Sequence, residues 1–133
     1  MGCGALIVAD THIWVWAILT PHELSRVAAR AVAEADVIGI SVISCWEVAT
    51  LASRGRLDLG MDIRQWLEAA LHRDRVRLLP ITLDIATAAG SFGAGLHGDP
   101  IDRLLTATAI HHQCPLITKD GRLRGFDAVT TIW

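Results

Sequence analysis

Four acidic residues stand where a parallel sheet would bring distant parts of the chain together. Asp10 directly follows an apolar run, and Asp120 closes a second run at TKD. Asp102 lies in the first turn of a predicted helix that begins at Asp99, and Glu47 lies within the apolar sequence ISCWEVATL. Helices that follow parallel strands begin at the edge where those strands end, and ligands bind outside that edge. The sequence therefore predicts that these carboxylates converge.

A cluster of carboxylates is stable only if its members are protonated or if a cation neutralises them. Ligand sets made of oxygen favour hard cations, namely Mg²⁺, Mn²⁺ or Ca²⁺. Such an ion suits phosphodiester hydrolysis, because it lowers the pKa of a water, orients it and stabilises charge on the departing oxygen. The formal net charge is −2, so attraction of a nucleic acid has to come from a local site rather than from the whole molecule.

Each acidic residue also has a purely structural interpretation. Asp10 is as easily explained as a helix cap, and Asp120 as a turn residue ahead of a glycine. Asp99 is expected mainly as an N-cap, and Asp102 fits the other half of a capping box. Glu47 is the hardest to explain in this way, because its neighbours on the helix are apolar and a buried carboxylate needs a partner.

The order of elements predicts an α/β fold, with a mainly parallel central sheet flanked by helices on both faces in three layers, α/β/α. The whole chain, residues 1–133, is expected to be a single domain. Predicted strands are Ala5–Ala9, Val37–Ser41, Val76–Ile81, Leu116–Thr118 and Val129–Ile132. Predicted helices are a short one around Trp14 and Trp16, then Ser25–Ala35, a Ser44-capped helix ending at Gly55, Asp62–Leu71, Leu83–Ser91 and Asp99–His112, with a glycine-rich loop at Phe92–Gly98.

Composition restricts the class of protein. Hydrophobic residues make up 52% of the chain, and this apolar excess suggests surface reserved for a partner or a second copy. A membrane span is not expected, since the longest stretch without Asp, Glu, Lys or Arg covers only residues 104–118. No signal peptide is expected either. Three cysteines without a CxxC pair indicate neither a disulfide framework nor a thiolate zinc site, and a reducing cytoplasm is the default location.

Five stretches of the chain resemble PIN-domain proteins, specifically VapC-type toxins of type II toxin–antitoxin pairs. They are VADTHIWVW around Asp10, SVISCWEVATLASRGRLDL around Glu47, HGDPIDRLLTATAI around Asp102, PLITKDGRL around Asp120, and the terminal VTTIW. They span nearly the whole chain in the order that the family has. No single stretch is decisive, but the set is specific.

The resemblance implies an endoribonuclease that depends on Mg²⁺ or Mn²⁺, with Asp10, Glu47, Asp102 and Asp120 in its acidic site. The ion would be held mainly by Asp10 and Asp102, and the other two acids would complete the cage or orient the attacking water. Secondary candidates are Thr118, which matches a hydroxyl position near the fourth acid, the capping residue Asp99, and two residues expected to flank the site, Thr11 and Arg103. Arg103 is equally explained by a surface pair with Asp99.

The resemblance also implies partners. These are an RNA substrate and a small VapB-like antitoxin whose C-terminal segment wraps the toxin. The protein is expected to form a homodimer or a toxin–antitoxin hetero-oligomer, and no association with a membrane is expected. Arg122 and Arg124 lie close to Asp120 and are candidates for phosphate contacts. Trp14, Trp16, Trp46 and Trp66 are expected in the core or an interface, and base stacking on one of them is the less favoured alternative.

Two other functions remain open at this point. A receiver-like phospho-acceptor domain also gathers aspartates and Mg²⁺ at strand ends, and Lys119 would stand for its lysine. However, such a domain needs a pair of acids after the first strand and an acceptor Asp after the third, and neither is present. A PIN-type module that binds without catalysis is the other alternative, and the intact set of four acids argues against it.

Overall fold

The apolar runs form the strands of a central sheet. The computed structural model describes residues 5–133, in which five strands pair in the order β3-β2-β1-β4-β5. Every pairing in the sheet is parallel, with Ile7 opposite Ile38 and Ala9 opposite Ile117 among the registers. The strands are β1 Leu6–Ala9, β2 Val37–Ser41, β3 Val76–Leu79, β4 Leu116–Ile117 and β5 Thr131–Ile132.

Helices connect the strands, as parallel pairing requires. The last helix, of four residues, was not predicted. Two short 3-10 turns, Pro21–Glu23 and Gly93–Gly95, lie in the connections. The helices are α1 Thr11–Leu19, α2 Arg26–Glu34, α3 Val42–Ser53, α4 Ile63–Leu71, α5 Leu83–Gly90, α6 Pro100–His111 and α7 Gly121–Arg124.

The two faces of the sheet have separate apolar clusters, because side chains alternate along a strand. Ile7 and Ala9 belong to the cluster that includes residues of α1, α2 and α4. Val8, between them, belongs to the cluster with residues of α6 and α7. Trp14 and Trp66 pack in the first cluster with ring centroids 5.6 Å apart. The three-layer α/β/α arrangement predicted from the sequence is therefore confirmed.

Side-chain caps set most of the helix starts. Ser25, Asp62 and Thr82 each accept a hydrogen bond from a backbone N–H in the first turn of α2, α4 and α5. The expectation that Ser44 caps the helix carrying Glu47 is wrong. Ser41 caps it instead, accepting from the N–H of Ile43 at 3.2 Å, so α3 begins directly at the end of β2.

The strand order bears on one alternative function. Receiver domains have the doubly wound order 2-1-3-4-5, whereas here β1 lies between β2 and β4. The structure therefore does not support the receiver-like alternative. In this order the chain runs outward to β3 on one side and to β5 on the other, so the point of reversal lies between β1 and β4.

The sequence predicts neither a disulfide framework nor a membrane span. Cys45 and Cys114 are free thiols, and burial raises the pKa of the Cys114 thiol to about 11. Cys3 lies outside the described residues. Within residues 5–133, no helix combines the length and the apolar character that crossing a bilayer requires.

The centre of the sheet has no space for a side chain at Gly39. A Cβ there would lie 2.6 Å from Leu79 Cδ1 and 3.2 Å from the Ile7 carbonyl oxygen. We expect Gly39→Ala to lower the free energy of unfolding by about 1–3 kcal/mol, because the buried Leu79 side chain must leave its packed position to admit the methyl group. Urea denaturation measures this change. Gly90→Ala is the matched control, since a Cβ there meets nothing within 4 Å; equal loss in both variants would contradict the prediction.

Candidate active site

The four predicted acids lie in one cavity at the reversal point of the sheet. Asp10 follows β1, and Asp120 comes three residues after β4. Glu47 projects from α3 and Asp102 from the first turn of α6. The cavity encloses about 350 Å³ and is lined by Asp10, His12, Ile13, Trp16, Glu47, Asp99, Asp102, Lys119, Asp120 and Arg122.

Asp10 is the most enclosed of the four acids, with 9% of its surface exposed. It precedes α1 but makes no side-chain capping hydrogen bond. Instead its Oδ2 accepts a hydrogen bond of 2.7 Å from the buried hydroxyl of Thr118. The same hydroxyl oxygen accepts from the backbone N–H of Asp120 at 3.1 Å. Thr118 thus joins the ends of β1 and β4 and orients the first acid.

Asp102 and Asp120 face each other across the guanidinium of Arg122. Nη2 of Arg122 lies 3.1 Å from Asp120 Oδ2 and 3.9 Å from Asp102 Oδ2. The Arg122 side chain is 62% exposed, so solvent screens these pairs and they add little stability. Arg122 is therefore a solvent-exposed counter-charge that lines the acidic cavity.

His97 is a member of the cluster that the sequence analysis did not assign. Its Nε2 lies 3.3 Å from Asp102 Oδ2, and both side chains are largely buried. Potential ligand atoms of His97, Asp102 and Asp120 all lie within 4.8 Å of one another. The available signal was its position in HGDP, immediately before a helix that begins at the ligand-binding edge.

Three carboxyl groups of the cavity have shifted pKa values, two of them raised and one lowered. Burial, aided by the negative charges of Asp99, Asp10 and Asp120, raises the pKa of the Asp102 carboxyl to about 7. The Asp10 pKa is raised as well, chiefly by burial. In contrast, the hydrogen bond from Arg122 lowers the pKa of Asp120. Burial first, and the neighbouring acids second, therefore disfavour the ionised form of Asp102 when no cation is present.

Glu47 is half-buried and lines the cavity. Its neighbour Trp46 is 57% exposed and lines a second, largely apolar cavity beside the first. That second cavity encloses about 490 Å³ and shares Asp99 with the acidic one. Trp46 is therefore outside the core, whereas Trp14 and Trp66 are buried in it.

The other candidates have mainly structural contacts. Asp99 caps α6 as predicted, accepting from the N–H of Ile101 at 2.9 Å, and it also lines the cavity. Thr11 is fully buried and donates to the hydroxyl of Ser44 at 2.8 Å, which ties α1 to α3 behind the acids. Thr11 supports the site and is not among the residues that line it.

Arg103 does not pair with Asp99, contrary to the second explanation offered for it. Its guanidinium donates to main-chain carbonyls instead, and within the described chain Arg103 is not among the residues that line the acidic cavity. The four accepting carbonyls belong to Ala89, Gly93, Leu96 and His97.

One wall of the cavity is aromatic and basic. Trp16 lies 5.9 Å from the ring of His12 and 6.4 Å from the ring of Trp133. The Nζ of Lys119 lies 5.8 Å from the Trp16 ring centre and 5.7 Å from that of Trp133. Cation–π attraction therefore holds a positive charge beside the acids. This wall was not predicted, because its residues come from three separate segments of the chain.

Comparisons with known proteins agree with this arrangement. Residues 7–129 match the PIN domain family. The chain is 36% identical over 129 residues to Ribonuclease VapC22 of Mycobacterium tuberculosis (strain ATCC 25618 / H37Rv), a match that covers 96% of this chain and 98% of that protein.

Two solved structures share the fold. VapBC2 from Rickettsia felis, bound to a DNA fragment from its promoter, has a TM-score of 0.68 at 18% identity, covering 95% of this chain and 96% of that one. VapC20 of Mycobacterium tuberculosis, described as a sarcin-ricin loop cleaving toxin, has a TM-score of 0.63 at 24% identity, covering 93% and 98%.

The chain therefore belongs to the PIN-domain family. Within that family its 36% identity to VapC22 over nearly the full length of both chains groups it with the VapC-type proteins. The resemblance noted from the sequence is thus confirmed.

Proposed function

We propose that the protein is a metal-dependent endoribonuclease that acts as the toxin of a type II toxin–antitoxin pair. The convergence of Asp10, Glu47, Asp102 and Asp120 on one cavity carries the proposal. It is supported by the identity to a protein named as a ribonuclease.

The donor set of the cavity fits a hard divalent ion. Its carboxylates supply oxygen ligands, which Mg²⁺ and Mn²⁺ prefer. The pKa of Asp102 is raised by burial and, after that, by the neighbouring acids, so a bound cation would favour its ionised form. Asp10 and Asp102 would be the principal ligands, and Glu47 and Asp120 would complete the cage or orient a water. When bound, the ion would activate water and stabilise charge on the departing 3′-oxygen.

Other side chains of the site would orient the first acid and contact the RNA. Thr118 holds Asp10 in one orientation through its 2.7 Å hydrogen bond. Arg122, freed from Asp102 and Asp120 when their charge is neutralised, is placed to contact a backbone phosphate of the RNA. Lys119 supplies a second positive charge on the opposite wall. Phosphate contacts of this kind position an RNA without reading its sequence.

A VapB-like antitoxin is the second partner that we propose. Exposed apolar side chains favour a partner that covers them. Val42 and Trp46 are 40% and 57% exposed on α3, beside the acidic cavity. A partner segment seated there would block entry of RNA. Solved relatives such as VapBC-5 of Mycobacterium tuberculosis are toxin–antitoxin systems. A homodimer and a cytoplasmic location belong to the same proposal.

Cleavage of a panel of structured RNAs by antitoxin-free protein tests the function. We expect cuts at a few discrete positions with Mg²⁺ or Mn²⁺, loss of those cuts with EDTA, and their return when excess metal is restored. The same cuts in the presence of EDTA would contradict metal dependence. A folded protein that binds Mn²⁺ but leaves every RNA in the panel intact would favour the non-catalytic binding module.

A further inference from the structure

The loop before α6 is held in place by one side chain. The guanidinium of Arg103 donates to the carbonyl oxygens of Ala89, Gly93, Leu96 and His97, at distances between 2.5 and 3.0 Å. Four contacts from a planar group with five fixed donors define the path of the loop. Because Arg103 follows Asp102 directly, the clamp fixes His97 relative to that acid.

A backbone contact decides which nitrogen of His97 carries the proton. The N–H of Asp99 donates to Nδ1 of His97 at 3.3 Å. An acceptor at Nδ1 leaves the proton of the neutral ring on Nε2. His97 therefore presents an N–H group to Asp102, rather than a lone pair to a metal ion.

The Nε2 atom of His97 faces the acidic cluster, but within the described residues it makes no hydrogen bond. It lies 3.3 Å from Asp102 Oδ2. It is shielded from solvent, and no hydrogen bond to it forms within residues 5–133. A buried donor without a hydrogen bond is costly. A small rotation of the Asp102 carboxylate would complete the bond and relieve that cost.

We propose that His97 is a positioning residue that orients the Asp102 carboxylate for metal binding, and that Arg103 holds His97 in place for this purpose. The inference rests on the proposed function. Metal-binding carboxylates are usually hydrogen-bonded by neighbouring groups, and such groups are important for affinity. A neutral N–H donor suits the role, because it fixes the carboxylate without adding a positive charge that would repel the ion.

Mn²⁺ binding to the full chain, followed by electron paramagnetic resonance, tests the proposal without requiring RNA cleavage. His97→Ala should weaken Mn²⁺ binding about tenfold. His97→Gln should bind within about threefold of the unchanged protein, since its amide N–H reaches the position of Nε2. His97→Asn should behave like the alanine variant, because its amide is one carbon shorter. His111→Ala, an exposed histidine at the other end of α6, is the matched control and should leave the affinity unchanged.

The outcomes separate the two proposals. Unchanged Mn²⁺ affinity in His97→Ala would overturn the role of His97 and leave the metal-dependent nuclease intact. Equal weakening by Ala, Asn and Gln would also overturn it, since a purely structural role depends on the ring. Absence of Mn²⁺ binding by the unchanged protein would contradict the proposed function itself, and this inference with it.

Discussion

Replacing Asp102 by Asn should reduce RNA cleavage by about a thousandfold or more, equivalent to about 4 kcal/mol of barrier. Asn keeps the shape of the side chain but removes the negative charge that would bind the ion at the centre of the acidic cavity. Asp102 is the acid that contacts both His97 and Arg122, so its loss affects the cluster most. Initial rates on an RNA that the unchanged protein cuts measure the effect.

Asp127→Asn provides the control for this variant, since Asp127 is exposed and lies outside the cavity. It should cleave at the rate of the unchanged protein. Circular dichroism should show the same secondary structure in all three proteins. Near-full cleavage by Asp102→Asn that EDTA abolishes would remove Asp102 from the site, whereas equal cleavage in every sample that persists in EDTA would indicate a contaminant.

The metal-free protein should become less stable as the pH rises from 5 to 8. The folded Asp102 carboxyl keeps its proton up to about pH 7, whereas in the unfolded chain it loses the proton near pH 4. The folded state binds more protons between these values. The resulting stabilisation is complete below pH 4 and is lost as the pH rises through 7. The raised pKa of Asp10 acts in the same direction. The lowered pKa of Asp120 affects stability only at more acidic pH, below the ordinary range of an aspartate, and so does not change this trend.

Thermal unfolding in EDTA at pH 5.5 and pH 8 measures this loss. Asp102→Asn should be more stable than the unchanged protein at pH 8, by on the order of 2 kcal/mol, and the difference should shrink at pH 5.5. Mg²⁺ at pH 8 should raise the melting temperature of the unchanged protein and not that of the variant. An equal fall in stability with pH in both proteins would show that other groups cause it.

Helices and strands could be predicted where a local sequence signal, such as a helix cap, agreed with what a parallel sheet requires. Asp99 and Pro100 start α6 as expected, since one caps the helix and the other has the backbone angle of its first turn. The strand Val37–Ser41 matches its prediction residue for residue. Ser44 was wrongly predicted as the N-cap of α3 because serine is a common capping residue. The earlier Ser41 makes the cap, and the hydroxyl of Ser44 accepts a hydrogen bond from Thr11.

Part of the site followed from topology and part did not. The rule that parallel strands end at one edge predicts the convergence of Asp10 and Asp120 in one cavity. Glu47 joins them because α3 begins directly where β2 ends. Asp102 joins them because α6, which follows α5 and not a strand, begins at that edge and leads into β4. In contrast, His97 and Arg103 depend on the path of an irregular loop. The periodicity of the sequence does not predict that path, because it is defined by hydrogen bonds from Arg103 to main-chain carbonyls. The catalytic roles of the four acids remain predictions.

The clamp on the loop before α6 also bears on how related proteins can diverge. Within residues 5–133, the guanidinium of Arg103 donates hydrogen bonds only to main-chain oxygens, which every amino acid possesses. Gly93, Ala94 and Gly95 are exposed, so substitutions at Ala94 and Gly95 would alter the surface of the loop without releasing it from Arg103. Gly93 is more restricted, since its φ of +65° disfavours other residues. A lineage can therefore acquire new preferences among RNAs in this segment while its hydrolytic machinery is inherited unchanged.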